Sequence, residues 1–250
     1  MNITGNTILI TGGGTGIGRG LAEAFHAEGN QVIITGRRRQ PLEEACAANE
    51  GMTFYTLDVE DPAAIRAFAA QVTKDHPGLN VLINNAGVMR AENLLAEPFD
   101  LSDSESIITT NLLGPIRLTA ALLPHLSAQA AACVINVSSG LAFLPLAMTP
   151  TYCATKAAIH SYSQSLRYQL RGTSVQVIEL APPAVATDLM PGQKANPRSM
   201  PLDDYIQESI ALLKANPMAP EICVERVKML RNAEAAGQYE AMFNLLNPAS

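Results

Sequence analysis

Short apolar, largely β-branched runs alternate along the chain with longer segments that place apolar residues every three to four positions. The first run, Thr7 to Thr11, leads into a segment of helical period from Gly16 to about Glu28. Strands are predicted again at Gln31 to Thr35, Thr53 to Leu57 and Val81 to Ile83, with a helix from Pro62 to about Asp75. Two longer helices, near Ser104 to Ala128 and Thr151 to Arg171, bracket a strand at Cys133 to Val137, and another strand runs from Val175 to Leu180. Such strand–helix alternation predicts an α/β fold, a Rossmann-type doubly wound parallel sheet with helices on both faces. Ligands of such sheets sit in the crevice outside the strands' carboxyl ends.

The texture changes after Pro182. A Pro-, Gly- and Met-containing loop, roughly 183–201, has the length of a substrate lid rather than of an ordinary connection. The segment 202–250 reads as helical, with Val224, Val227 and Leu230 as a partial stripe and no clear further strand. No boundary splits off a second domain, so 1–250 reads as one catalytic domain.

Composition narrows the classes. The chain is 48% hydrophobic and 16% charged with a formal charge of -6, the profile of a globular protein with no broad attraction to nucleic acid or anionic membranes. No Asp, Glu, Lys or Arg occurs between Leu118 and Thr155, but Pro124, His125, Gln129, Asn136, Ser138 and Pro145 interrupt any spanning run, so a buried core explains the stretch. The N-terminus has no basic segment followed by an apolar stretch, and a cytoplasmic location is expected. Cys46, Cys133, Cys153 and Cys223 lack metal-ligand spacing, and no metal is expected.

The first strand is followed at once by TGGGTGIG, which sets Gly12, Gly16 and Gly18, with Gly14, Thr15 and Ile17 between them, where strand turns into helix. Glycine there permits close backbone approach, and a helix N-terminus aims unpaired N–H groups at a pyrophosphate. A tightly packed turn is the bland alternative. The second strand ends in Gly36-Arg37-Arg38-Arg39, where related folds carry a carboxylate for the ribose 2′-hydroxyl. A guanidinium holds a 2′-phosphate instead, so Arg37, with Arg38, argues for NADP(H), with NAD(H) possible and a merely solvated basic loop as the alternative. Asp58, followed by Val59, could accept from an adenine amino group or cap the helix that follows. In Asn84-Asn85-Ala86-Gly87 small residues allow cofactor approach, and Asn85 can tie neighbouring strands together.

Tyr152 and Lys156 are four residues apart and share a helix face, and the preceding strand ends in Ser138-Ser139, which puts a hydroxyl at the crevice mouth. A phenol of pKa about 10 must fall by about 3 units to exchange protons near neutrality, and an ammonium about 4 Å away supplies about 4 kcal/mol before desolvation. A surface Tyr–Lys pair would be the reading without Ser139 and the glycine turn.

Over about Thr7 to Asp188 the sequence resembles the short-chain dehydrogenase/reductase family, through TGGGTGIG, NNAG, Asn111, Ser139, YCATK and Pro182 with Thr187. The resemblance implies that Tyr152 donates a proton to substrate oxygen, Ser139 orients that oxygen, and Lys156 lowers the phenol pKa while binding the nicotinamide ribose. It implies that Asn111 holds a proton-relay water and that Thr187, with Val185, contacts the nicotinamide end. By their residues alone, Asn111 could be a satisfied helix polar group and Thr187 a cap. The APPAVATD loop and the RNAEAAGQY segment are similar to the DltE-like subgroup. The sequence departs from the family in Pro183, where glycine is usual, and in lacking the usual C-terminal strand ending in a glycine pair. A homodimer through the two long helices is expected, with a tetramer possible.

The reading is therefore a carbonyl–alcohol oxidoreductase acting on a small-molecule substrate. A catalytically silent dinucleotide sensor or an epimerase or dehydratase with tightly held NAD remain as alternatives. Cys153 points about 100° away from Tyr152 along the helix and reads as packing, and His160 as an ordinary surface or interface histidine. Phe143, Leu144, Met148, Leu189 and Met190 could line an apolar pocket or pack the core.

Overall fold

The computed structural model describes residues 1–98 and 100–248, and its seven strands form a single parallel sheet. These are β1 (Thr7–Thr11), β2 (Gln31–Gly36), β3 (Thr53–Thr56), β4 (Leu79–Asn84), β5 (Ala132–Val137), β6 (Val175–Leu180) and β7 (Glu221–Ile222), in the order β3-β2-β1-β4-β5-β6-β7. The order reverses between β1 and β4, which opens the crevice at the carboxyl ends of those strands. Nine helices pack around the sheet: α1 (Gly16–Ala27), α2 (Arg39–Ala48), α3 (Pro62–Asp75), α4 (Ser102–Ile108), α5 (Gly114–Ser127), α6 (Pro150–Gln169), α7 (Leu202–Ala215), α8 (Lys228–Arg231) and α9 (Tyr239–Leu246), as counted among the described residues.

Because successive strand residues face opposite ways, each buried strand feeds two cores. Ile8 and Ile10 of β1 join Leu21, Phe25, Ile135, Ile178 and Tyr205 on one face. Leu9 joins Ile65, Phe68, Leu118, Leu122 and Val134 on the other. Strands buried on both sides therefore read as the unbroken apolar runs seen in the sequence.

The helix expected from Ser104 to Ala128 is present with an internal break. Thr109–Leu113 form one π-helical turn between α4 and α5. Pro115 has no N–H to give to the carbonyl of Asn111, four residues before it, so the α-helical ladder cannot run straight through. Gly114 is needed where the chain crosses β3's loop, since a Cβ there would stand 3.1 Å from the Val59 carbonyl. Among the described residues, Ser102–Ser127 is long and apolar enough to cross a membrane by length and composition. Its Leu118, Leu122 and Leu126 are fully buried in the sheet's second core.

One expectation is corrected. The segment after Pro182 does contain a further strand: β7 pairs parallel to β6, Glu179 opposite Glu221 and Leu180 opposite Ile222. Two residues, one of them charged, are too short to show a period. The loop over 183–201 is also less free than its length suggests, because Val185 bridges Met200, and the Ala186 N–H donates to the Met200 carbonyl at 2.8 Å.

Candidate functional site

The glycine turn leaves β1 and enters α1 at the switch point. Gly12 and Gly16 have φ of 66° and 54°, the left-handed region that favours glycine. A Cβ on Gly18 would lie 2.2 Å from the Gly12 carbonyl oxygen, so the turn closes only on glycine. Gly14 packs tightly on Pro41 of α2, while Thr15 is exposed and Ile17 half-buried. Thr15, the N-cap of α1, makes no side-chain cap bond, and the first turn carries no acidic residue. The leading N–H groups of a 12-residue helix are thus left for an anion, and the turn fits a dinucleotide pyrophosphate.

Asn85 braces this turn: its amide donates to the Thr11 carbonyl at 2.9 Å and the Gly12 carbonyl at 3.3 Å. Thr187 closes the other side, its Cγ2 being 3.4 Å from where a Gly16 Cβ would stand, and it is buried, as is Val185. The pinned end of the long loop therefore lies against the glycine turn.

At the adenosine end, Arg37 is exposed and contacts Glu60 at 3.3 Å. Arg38 occupies the N-cap position of α2, exposed and without a side-chain cap bond. Asp58 does not cap α3; Asp61 does, accepting from the Ala63 and Ala64 N–H groups at 2.7 and 3.1 Å. Asp58 accepts instead from the Glu60 N–H, and Val59 is buried against Gly114. Sequence reasoning missed Glu60, whose carboxylate also accepts from Ser106 and Thr110 and so ties the Arg37 corner to α4 and the π turn. No local pattern marks it, since its partners come from distant elements.

Tyr152 and Lys156 lie on the buried face of α6. Nζ of Lys156 sits 5.5 Å from the centroid of the Tyr152 ring and donates to the Val137 carbonyl at 2.8 Å. Ser139, just beyond β5, is close enough to the phenol to oppose the effect of its burial, and its hydroxyl accepts from the Leu141 N–H at 3.1 Å. Burial raises Tyr152 above its ordinary value, and the nearby Ser139 hydroxyl partly opposes this. Burial likewise lowers the Lys156 ammonium to about 8, with the negative charge of Glu179 acting the other way.

Asn111 faces the same cell from the π turn. Its amide grips one backbone unit from both ends, accepting from the Val88 N–H at 2.8 Å and donating to the Val88 carbonyl at 2.9 Å. Its side chain thus holds the loop after β4. A narrow cavity lined by Asn84, Asn111, Asn136, Val137, Lys156 and Ile159 lies between them, and the buried Asn84 Oδ1 has no protein partner.

Glu92 also escaped the sequence reading. Its carboxylate accepts from the Thr151 N–H at 2.9 Å, the Thr151 hydroxyl at 2.7 Å and the Ser104 hydroxyl at 2.7 Å. It therefore caps the turn of α6 that carries Tyr152, where the N-cap Thr149 supplies no side-chain bond. Around Tyr152 gather Met89, Ile107 and Cys153, with Val88, Leu141, Leu146 and Met190 packed against them. Cys153 packs as expected. His160 does not: it is half-buried, with Nδ1 2.7 Å from Glu179.

The family model described as short chain dehydrogenase matches residues 6–198. The chain is 42% identical to Uncharacterized oxidoreductase DltE of Bacillus subtilis, covering 99% of this chain and 98% of that protein. It is 32% identical to NADP-dependent 3-hydroxy acid dehydrogenase YdfG of Shigella flexneri, over 70% of this chain and 71% of that one. A solved short-chain dehydrogenase from Streptomyces avermitilis superimposes with a TM-score of 0.80 at 26% identity, covering 96% of each chain.

Proposed function

The chain belongs to the short-chain dehydrogenase family, and from that premise we propose that it is an NADP(H)-dependent oxidoreductase interconverting a carbonyl and an alcohol. The observation that carries this reading is the burial of Tyr152 and Lys156 together on α6, with buried Ser139 just beyond β5, at the carboxyl side of the sheet where the glycine turn also lies.

The bound nicotinamide would supply or accept the hydride. Gly12, Gly14, Thr15, Gly16, Ile17 and Gly18 hold its pyrophosphate, Asp58 and Val59 border the adenine, and Val185 and Thr187 border the nicotinamide end. Arg37 and Arg38 hold the 2′-phosphate, a preference that the NADP-dependent relative from Shigella flexneri supports. Tyr152 passes its phenolic proton to the carbonyl oxygen, or takes it back in the reverse direction. Ser139 holds that oxygen. Burial of the phenol keeps the proton on it until an oxygen of rising basicity arrives, which suits an acid in the reducing direction. Lys156 binds the ribose and places positive charge beside the phenol. Asn111 fixes the loop after β4 beside Lys156, where the family resemblance gives it the relay of the proton.

The apolar side chains around Tyr152 favour a substrate whose carbonyl carries an apolar group. The exposed part of the 183–201 loop, beyond the Val185–Met200 bridge, acts as the lid. The protein works as a cytoplasmic homodimer.

The test is NADPH consumption across aldehydes, ketones and quinones, with NADH in parallel. The expected result is turnover of at least one carbonyl, with NADPH preferred. In Tyr152→Phe, kcat falls by roughly 10²–10⁴-fold while NADPH binding is kept. Failure with every carbonyl, or full activity in Tyr152→Phe, contradicts the proposal.

A further inference from the structure

Two opposite charges are buried in the space between α6 and the carboxyl end of the sheet. Lys156 is 5% exposed, and the described residues offer its ammonium only the neutral Val137 carbonyl as a hydrogen-bond partner. Glu179 of β6 is 1% exposed and has one carboxylate oxygen without a protein partner. A buried ion without an opposite charge is strongly disfavoured, so the Lys156 ammonium calls for an anion within reach.

The register puts them on the same side of the sheet, under α6. Glu179 lies opposite Asn136 across the parallel β5–β6 pair, so both side chains leave the same face of the sheet. Asn136 reaches α6 through Ser163 at 2.9 Å and lines the cavity that Lys156 also lines. Glu179 reaches α6 through His160, one helical turn beyond Lys156, at 2.7 Å. His160 is in turn fixed by Gln164 at 3.0 Å and by the edge of Phe143, ring centroids 4.8 Å apart.

Besides His160 and Lys156, the charged groups near Glu179 are Glu221 and Arg231, and Arg231 acts on Glu179 from beyond contact distance. Glu221, the register partner of Glu179 on β7, is taken by Arg231 of α8 at 2.7 Å. Cys223 stays a neutral thiol, because burial and Glu221 push it up to about 12. Arg231 itself rests over the outer Phe143 ring, 4.4 Å from its centroid. Lys156 and His160 are the titratable groups that α6 turns toward this carboxylate.

We infer that Glu179, held in place by His160, is the buried counter-anion that keeps the Lys156 ammonium charged and positioned for its part in the reaction. The inference rests on the reading of Lys156 as a working residue of the site. Glu179 and His160 are positioning residues: they act through Lys156, not on the substrate. Glu179 raises Lys156 against the lowering caused by burial, which is the direction a counter-anion requires.

Removing the anion lowers the pH at which Lys156 loses its proton, so activity that needs the ammonium is lost at lower pH. The test pairs two readouts on wild type and Glu179→Gln: the titration of Lys156 by NMR with isotope-labelled lysine, and the pH dependence of kcat. Expected is a fall of about one pH unit in the Lys156 titration, tenfold in its ionisation equilibrium, with the alkaline limb of kcat moving by the same amount. Glu179→Asp keeps the charge and restores most of both. If Glu179→Gln does not fold, His160→Leu strips the carboxylate of its partner and is expected to move both in the same direction by less. An unmoved Lys156 titration in the folded variant overturns the inference, whatever the activity. A titration that moves in a protein with no carbonyl turnover upholds the counter-anion and removes the enzymatic reading instead.

Discussion

The cradle after β1 and the cleft around Tyr152 are built from different materials. The cradle is backbone: Gly12, Gly16 and Gly18 act by what they lack, and all of its main parts fall within one short stretch of chain. The cleft is side chain: Ser139 follows β5, Tyr152 and Lys156 lie on α6 and Glu179 on β6, and all four are buried. A backbone site tolerates almost no added atom but needs no tuned ionisation. A side-chain site keeps its shape under conservative change and loses its electrostatics instead.

The largest expected effect lies in the cradle. Gly18→Ala should gain about 1 kcal/mol of helix propensity, yet its methyl group would stand 2.2 Å from the Gly12 carbonyl oxygen, and the clash wins. Melting should fall by about 10 °C or the protein should fail to accumulate, as measured by thermal denaturation and soluble yield. A variant that melts and binds NADPH like wild type breaks the claim that the cradle is defined by missing atoms.

A smaller effect is expected at the cradle's outer corner, where side chains do matter. Arg37→Gln should weaken NADPH binding about tenfold and leave NADH nearly unchanged, near the low end for a charge-assisted contact because Arg37 is exposed and shares its charge with Glu60. Parallel titrations of both dinucleotides measure it. Equal losses for both would mean that Arg37 does not read the 2′-phosphate.

The same contrast explains what was legible in the sequence. The sheet strands announced themselves because burial on both faces demands unbroken apolar runs, and the glycine turn because its requirement is local. The Tyr152–Lys156 pair was visible through helical spacing. Glu60, Glu92 and Glu179 were not, because each acts on elements far away in the chain, and an isolated glutamate has no period. Strand β7 was hidden by its two-residue length, and the π turn at Asn111 by an apolar pattern that carries on through it. The burial that raises the Tyr152 phenol was not legible, because spacing shows the neighbouring lysine but not the depth at which the ring is packed.

The measurement that bears most directly on the central claim is transfer of deuterium from NADPH labelled at nicotinamide C4, followed by mass spectrometry and NMR of the alcohol formed. Wild type is predicted to place one deuterium on the carbinol carbon with a single handedness, and Tyr152→Phe to place almost none in the same time. Alcohol without deuterium, or equal labelling by Tyr152→Phe, would contradict hydride transfer assisted by the buried phenol.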